Sequence, residues 1–316
     1  KGREAFQEVD YHKMFGQPFS KAVFEIKNAK SIPNIVQKAY HISTKERPGP
    51  VIISLPEDIL EQYAKYKPIK PIKHIFSKIS HTKLNNLLLR IEKSKKPLII
   101  IGGGDWGKDG AKDLETFANT NKIPYAVSFR RQSLVNNNNN FYIGDLSTSV
   151  DAKLIKSVKE SDLILVVGAR LGEMTTSGYS TIKTNDKSKI IHVYPEIKEI
   201  GKVYKPILGI RSNSTIFSKL ISNKKIKNIN WAEWAASCRE NYIKYSTPPK
   251  YFSEPDMGKI MLILRENMPK DTIITIDAGN FSGWIQRFWK YTRVKTQLAP
   301  TSGAMGYSIP AAISAK

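Results

Sequence analysis

Between Leu98 and Ile221, short apolar runs rich in β-branched residues alternate with stretches of helical period, and no other feature restricts the fold as much. The runs are Leu98-Ile-Ile-Ile101, Ile123 to Phe129, Leu163 to Val167, Ile190 to Val193, and a shorter one near Ile207 to Ile210. Helices are predicted between them, from Asp109 to Asn119, Ala152 to Lys159 and Thr215 to Ile221, and a stripe of Leu84, Leu87, Leu88 and Ile91 predicts one more upstream. Strands that are apolar throughout need cover on both faces, so the sequence predicts an α/β fold with a parallel sheet between helical layers.

Both flanks carry the same alternation in shorter form. Ile32, Ile35, Val36, Ala39 and Tyr40 recur at helical spacing, with Ser31 as a candidate N-cap and Pro33 in the first turn. Arg47-Pro-Gly-Pro then breaks the chain before a short strand, Val51 to Leu55. Residues 61–80, rich in Lys, Pro and Tyr, are expected to form a linker. A helix over Trp231 to Tyr245 ends at Ser246-Thr-Pro-Pro-Lys250. Beyond it are expected a helix around Ile260, a strand Thr272 to Asp277, a turn Ala278-Gly-Asn280, an aromatic helix through Trp284, Phe288 and Trp289, and a strand near Val294. The domains read as 1–60, 81–246 and 250–316. Asn136 to Asn140 is expected to be a surface loop without chemistry.

Two glycine clusters could carry chemistry. Gly303 and Gly306 bracket Met305 in a tight turn, and small residues then open a helix whose first amides could dock a ligand. The alternative is a glycine turn before a buried helix. Gly102, Gly103 and Gly104 follow a strand and precede a helix. Their spacing to Gly107 looks like a dinucleotide turn, but Ala126-Val-Ser-Phe129 stands where an acidic residue should close the next strand, which argues against NAD. Phosphate binding by this turn stays open.

Thr301-Ser-Gly-Ala-Met-Gly-Tyr-Ser-Ile-Pro-Ala-Ala312 resembles the segment that opens the diphosphate-binding domain of thiamine diphosphate (ThDP) enzymes of the acetolactate synthase and 2-oxo acid decarboxylase type. The resemblance implies doubly wound parallel-sheet domains, with a complete central domain between parts of a pyrimidine-binding and a diphosphate-binding domain. It implies that Gly303, Ala304 and Met305 hold the aminopyrimidine, and that Asp277-Ala-Gly279-Asn280 approaches the diphosphate. It also implies that Gly102, Gly103, Gly104 and Arg170 contact FAD, with an interdomain ion pair as the alternative role for Arg170. Phe6, Gln7 and Lys21 match residues at the substrate entrance. The catalytic base and the Mg²⁺ motif are expected before residue 1 and after residue 316, so no catalytic or metal residue is assigned here. Where the family has a second Arg that helps select the acceptor, this chain has Met174.

The resulting expectation is ThDP- and Mg²⁺-dependent decarboxylation of a 2-oxo acid, pyruvate first, with carboligation to a second carbonyl compound. The protein is expected to be a cytoplasmic homodimer or homotetramer, without nucleic-acid or membrane partners. Other ThDP decarboxylases and carboligases of oxalyl-CoA, benzoylformate, glyoxylate or sulfoacetaldehyde type are alternatives. A flavin- or nucleotide-binding protein without ThDP chemistry is a different class, and an RNA-binding protein a third. The net charge of +22 would suit RNA, but the lysines are spread along the chain with few interleaved aromatics. Cys238 is the only cysteine, which forbids an intrachain disulfide and fits a reducing compartment. His12, His41, His74, His81 and His192 show no zinc-ligand spacing.

Overall fold

The computed structural model describes residues 2–70, 72, 79–104, 106–183, 189–249 and 255–316. The chain divides into two compact units, Lys1–Ser77 and Lys78–Lys316.

In the first unit, α1 (Tyr11–Phe15) starts where the Asp10 carboxylate accepts the Lys13 amide at 3.0 Å. Strand β1 (Ala22–Glu25), helix α2 (Ile32–Thr44) and strand β2 (Val51–Ser54) follow as a βαβ crossover. The strands run parallel, with Ala22 opposite Val51 and Glu25 opposite Ser54. The sequence predicts α2 and β2 but not β1, whose four residues are too few to show a period. Ser31 makes no side-chain cap; the Asn28 side chain accepts the Ser31 amide instead, at 3.0 Å. After α3 (Glu57–Leu60), Gln62 accepts the Ala29 amide at 3.1 Å, which ties the start of the expected linker to this unit. Residues 71 and 73–78 of that linker lie outside the described residues.

The second unit is built on six strands. Helix α4 (His81–Lys93) leads into β3 (Pro97–Ile101), followed by α5 (Gly110–Thr120), β4 (Tyr125–Ser128), β5 (Tyr142–Leu146), α6 (Ala152–Glu160) and β6 (Leu163–Val167). Strands β7 (Ile190–Tyr194) and β8 (Leu208–Arg211) complete the sheet before α7 (Ser214–Ile221) and α8 (Ala232–Tyr245). All pairings are parallel in the order β5-β4-β3-β6-β7-β8, a doubly wound arrangement that reverses direction between β3 and β6. Alternate residues explain why the strands read as continuously apolar. Ile99, Ile101, Leu165 and Val167 pack against α4, α5 and α7, whereas Leu98, Ile100, Ile164 and Val166 pack against Leu154 and Val158 of α6 and Cys238 of α8.

The same unit continues through α9 (Met257–Asn267), β9 (Ile274–Thr275), α10 (Ser282–Phe288), β10 (Gln297–Leu298) and α11 (Ser308–Ala315). The strand expected near Val294 is displaced: the chain turns there, with Lys295 at φ +63°, and β10 follows, pairing in parallel with β9. The Asn run also departs from expectation. Asn137 is fully buried and grips the backbone of Tyr291 from both sides, its amide donating to the Tyr291 carbonyl at 2.8 Å and its Oδ1 accepting the Tyr291 amide at 3.0 Å. Its Nδ2 donates to the carbonyls of Gln132 and Val135. This loop is therefore a joint between the six-stranded sheet and the segment after residue 255.

Candidate functional site

In an open parallel sheet, ligands collect beyond the carboxyl ends of the strands, and here two distinct places lie there. The first is the reversal point itself. Gly102, Gly103 and Gly104 leave β3 where Gly168 leaves β6, and the two turns press together. A Cβ on Gly103, at φ +71°, would lie 1.9 Å from the Gly168 carbonyl oxygen; one on Gly168 would lie 2.5 Å from the Gly102 carbonyl oxygen. The Trp106 indole donates to the Gly102 carbonyl at 2.9 Å, and the Gly107 amide donates to Thr215 Oγ1 at 2.7 Å. Gly103 is thus explained by backbone contact within the fold and Gly102 by the Ser128 and Ala169 side chains pressed against it, while Gly104 has open space around it. Arg170 is exposed and forms no ion pair among the described residues. Behind it, buried His192 makes a 2.9 Å hydrogen bond through Nε2 to the Ala169 carbonyl, and burial pushes its pKa down, towards the neutral ring.

The second place is a cavity of about 430 Å³ at the ends of β4 and β5, a size suited to small ligands. Phe129 and Arg130 enter it from β4, Thr148 and Ser149 from β5, and Met174 from the turn after β6. Gly279, Asn280 and Gly303 come from the segment after residue 255. The fold therefore brings together three of the glycine-turn candidates from two separate loops. Ala304 and Met305 continue the Gly303 turn in exposed positions, Met305 at 85%.

The amides at the start of α11 differ from expectation. The Asp277 carboxylate accepts from the Gly306 and Ser308 amides at 3.0 and 3.1 Å and from Ser308 Oγ at 3.0 Å, so those donors are already engaged. Hydrogen bonds from Ser308 and Ala278 hold the Asp277 carboxyl below the usual carboxylate range. Its charge faces the helix start, and no described residue on the cavity wall is acidic.

Beneath the cavity lies a polar cluster. Gln132 exchanges two hydrogen bonds with Gln297, at 2.9 and 3.1 Å, and donates to the Gln286 carbonyl at 2.7 Å and to Asp145 Oδ1 at 3.2 Å. Burial pushes the Asp145 carboxyl up to about 7, against hydrogen bonds and the Arg130 charge that pull it down. Sequence reasoning missed Arg130, Gln132 and Asp145. The signal available was Arg130-Arg-Gln132, three polar residues directly after a buried strand, at the end of the strand where α/β folds place their sites.

Phe6, Gln7 and Lys21 belong to the first unit. Phe6 is 95% exposed and Gln7, at φ +62°, is also exposed. Lys21 is fixed, its ammonium donating to the carbonyls of Lys45 at 2.7 Å and Arg47 at 3.0 Å. Among the described residues no group of three His, Cys, Asp or Glu side chains is placed to hold a metal ion, and no helix is long and apolar enough to cross a membrane.

Residues 84–219 match the family model described as thiamine pyrophosphate enzyme, central domain. The whole chain aligns with acetolactate synthase large subunits, at 29% identity with that of Cyanidium caldarium and 27% with that of Lactococcus lactis subsp. lactis. It is 23% identical to the isozyme 2 large subunit of Escherichia coli. The chain covers 55–57% of these three proteins, so it spans about half the length of the relatives it matches.

Proposed function

We propose that this protein is a thiamine pyrophosphate enzyme related to acetolactate synthase large subunits, which decarboxylates a 2-oxo acid, pyruvate first, and joins the acyl fragment to a second carbonyl compound; the match of residues 84–219 and the alignment along the whole chain support it. The observation that carries the proposal is the cavity in which Gly279 and Asn280 meet Gly303. Gly303, Ala304 and Met305 would hold the aminopyrimidine, and Gly279 and Asn280 the diphosphate arm. When bound, ThDP supplies the electron sink for loss of CO₂. The chain's own work is to orient the ligands and to limit water, with Phe129 and Met174 as apolar wall. Among the described residues none on the wall is a carboxylic acid or a histidine, and no proton-transferring base is assigned here.

The remaining assignments are part of the same proposal. Mg²⁺ accompanies the diphosphate, with no ligand assigned here. FAD is proposed at the sheet reversal, where Gly104 and Arg170 are the parts of the set open to a dinucleotide. A homodimer or homotetramer in the cytoplasm is proposed for the assembly. The domain reading of 1–60, 81–246 and 250–316 as pyrimidine-binding, central and diphosphate-binding parts belongs here too.

A second reading within the family is favoured by one feature. Met174 lines the cavity where the resemblance expects an Arg that selects the acceptor, so another 2-oxo acid or acceptor would replace the acetolactate pair. The test is CO₂ release by the full-length protein with and without ThDP and Mg²⁺, with product analysis and a flavin spectrum. ThDP-dependent acetolactate formation supports the first reading. ThDP-dependent turnover of a different 2-oxo acid supports the second, and the absence of ThDP dependence with every 2-oxo acid overturns both.

A further inference from the structure

Among the described residues, Arg130 is the only ionisable side chain on the wall of the cavity, and the fold holds it there at some expense. Its backbone is left-handed at φ +59°, a conformation uncommon for residues other than glycine. The guanidinium lies 5.2 Å from the centre of the Phe129 ring and makes one hydrogen bond, from Nη2 to the Asp277 carbonyl at 3.3 Å. Its buried Nε has no hydrogen-bond partner. Two carboxylates, Asp145 and Asp277, act on it electrostatically without pairing. The Asp277 carboxylate is committed to Gly306 and Ser308, and Asp145 accepts from Gln132. The cation is therefore under-satisfied, fixed in direction and flanked by apolar Phe129 and Met174. A small ligand with a planar anionic head beside an apolar group matches that arrangement, since a guanidinium fork fits a carboxylate in two-point contact.

We infer that Arg130 recognises the carboxylate of the 2-oxo acid, an assignment that rests on the function proposed above and supplies its specificity. Arg130 is the substrate's anchor, and the Asp277 carbonyl keeps the guanidinium oriented beside the Gly279 loop.

The test uses the full-length protein. Calorimetric titration with oxamate, an unreactive carboxylate of pyruvate's shape, is compared with titration by oxamide, its uncharged amide. Wild type binds oxamate and not oxamide. Arg130→Gln, which can still donate to the Asp277 carbonyl, weakens oxamate at least tenfold, and Arg130→Lys recovers part of the loss. In the ThDP-loaded enzyme the same Gln variant raises KM for the 2-oxo acid at least tenfold with kcat within threefold. Unchanged oxamate binding in Arg130→Gln overturns the assignment, whatever happens to thermal stability. So does a loss confined to ThDP affinity, which would place the cation on the diphosphate. Loss of oxamate binding in a protein that turns over no 2-oxo acid would leave the carboxylate site standing and remove the proposed reaction.

Discussion

Single atoms decide two outcomes. Gly103 has no space for a Cβ, which would lie 1.9 Å from the Gly168 carbonyl, and its positive φ adds strain for any other residue. Gly103→Ala should therefore destabilise the fold by at least about 2 kcal/mol in urea unfolding. Gly104→Ala, in open space, should stay within about 0.5 kcal/mol. Asp145 is the second case. Its folded carboxyl titrates near 7, far above its ordinary 3.8, so between those values the folded chain keeps a proton that the unfolded chain has lost. Its contribution is thus most favourable below pH 4 and declines as the pH rises to 7, by at most about 1.4 kcal/mol per pH unit. Asp145→Asn should remove that decline. Unfolding free energies of both proteins at pH 5, 6, 7 and 8 check it: the variant's advantage must grow with pH and level off above 7.

The loop after β4 links elements that the sequence does not connect. Asn137 closes a two-way hydrogen bond with Tyr291 and caps two carbonyls of its own loop, all out of contact with water. Asn137→Ala leaves the Tyr291 amide and those carbonyls without partners, and should cost about 2–3 kcal/mol. It should also loosen the segment after residue 255, seen as faster amide hydrogen exchange in α9 and α10. How much was legible follows the same division. Strands β3, β4, β6 and β7 were readable because burial on both faces leaves an unbroken apolar run. Strand β5 was not, because Gly144 and Asp145 interrupt it. The Asn run looked like solvated low complexity, since only the fold brings Tyr291 to Asn137. Of the candidate site, the Gly279 and Gly303 turns were marked by their glycines. Arg130 stands one residue past the predicted strand, Ile123 to Phe129, with no spacing that marks it as a ligand.

The whole molecule carries one cysteine, and its thiol reports on global opening. Cys238 is buried between α6 and α8, 3.5 Å from Ser157 Oγ, and burial pushes its pKa up to about 11. At pH 8 it should react with a disulfide reagent only as fast as the second unit opens, with full reactivity in denaturant. Immediate labelling of the native protein would contradict this placement. The strand order also bears on how the chain is made. Strand β3 pairs with β4 on one side and β6 on the other, so the sheet's central pair joins segments separated by everything from α5 to α6. During synthesis β3 must wait with one bare edge until β6 has left the ribosome. The middle of the sheet thus closes over the longest sequence separation of its five pairings, and in that interval the β3 edge is open to chaperone capture or to pairing with a neighbour.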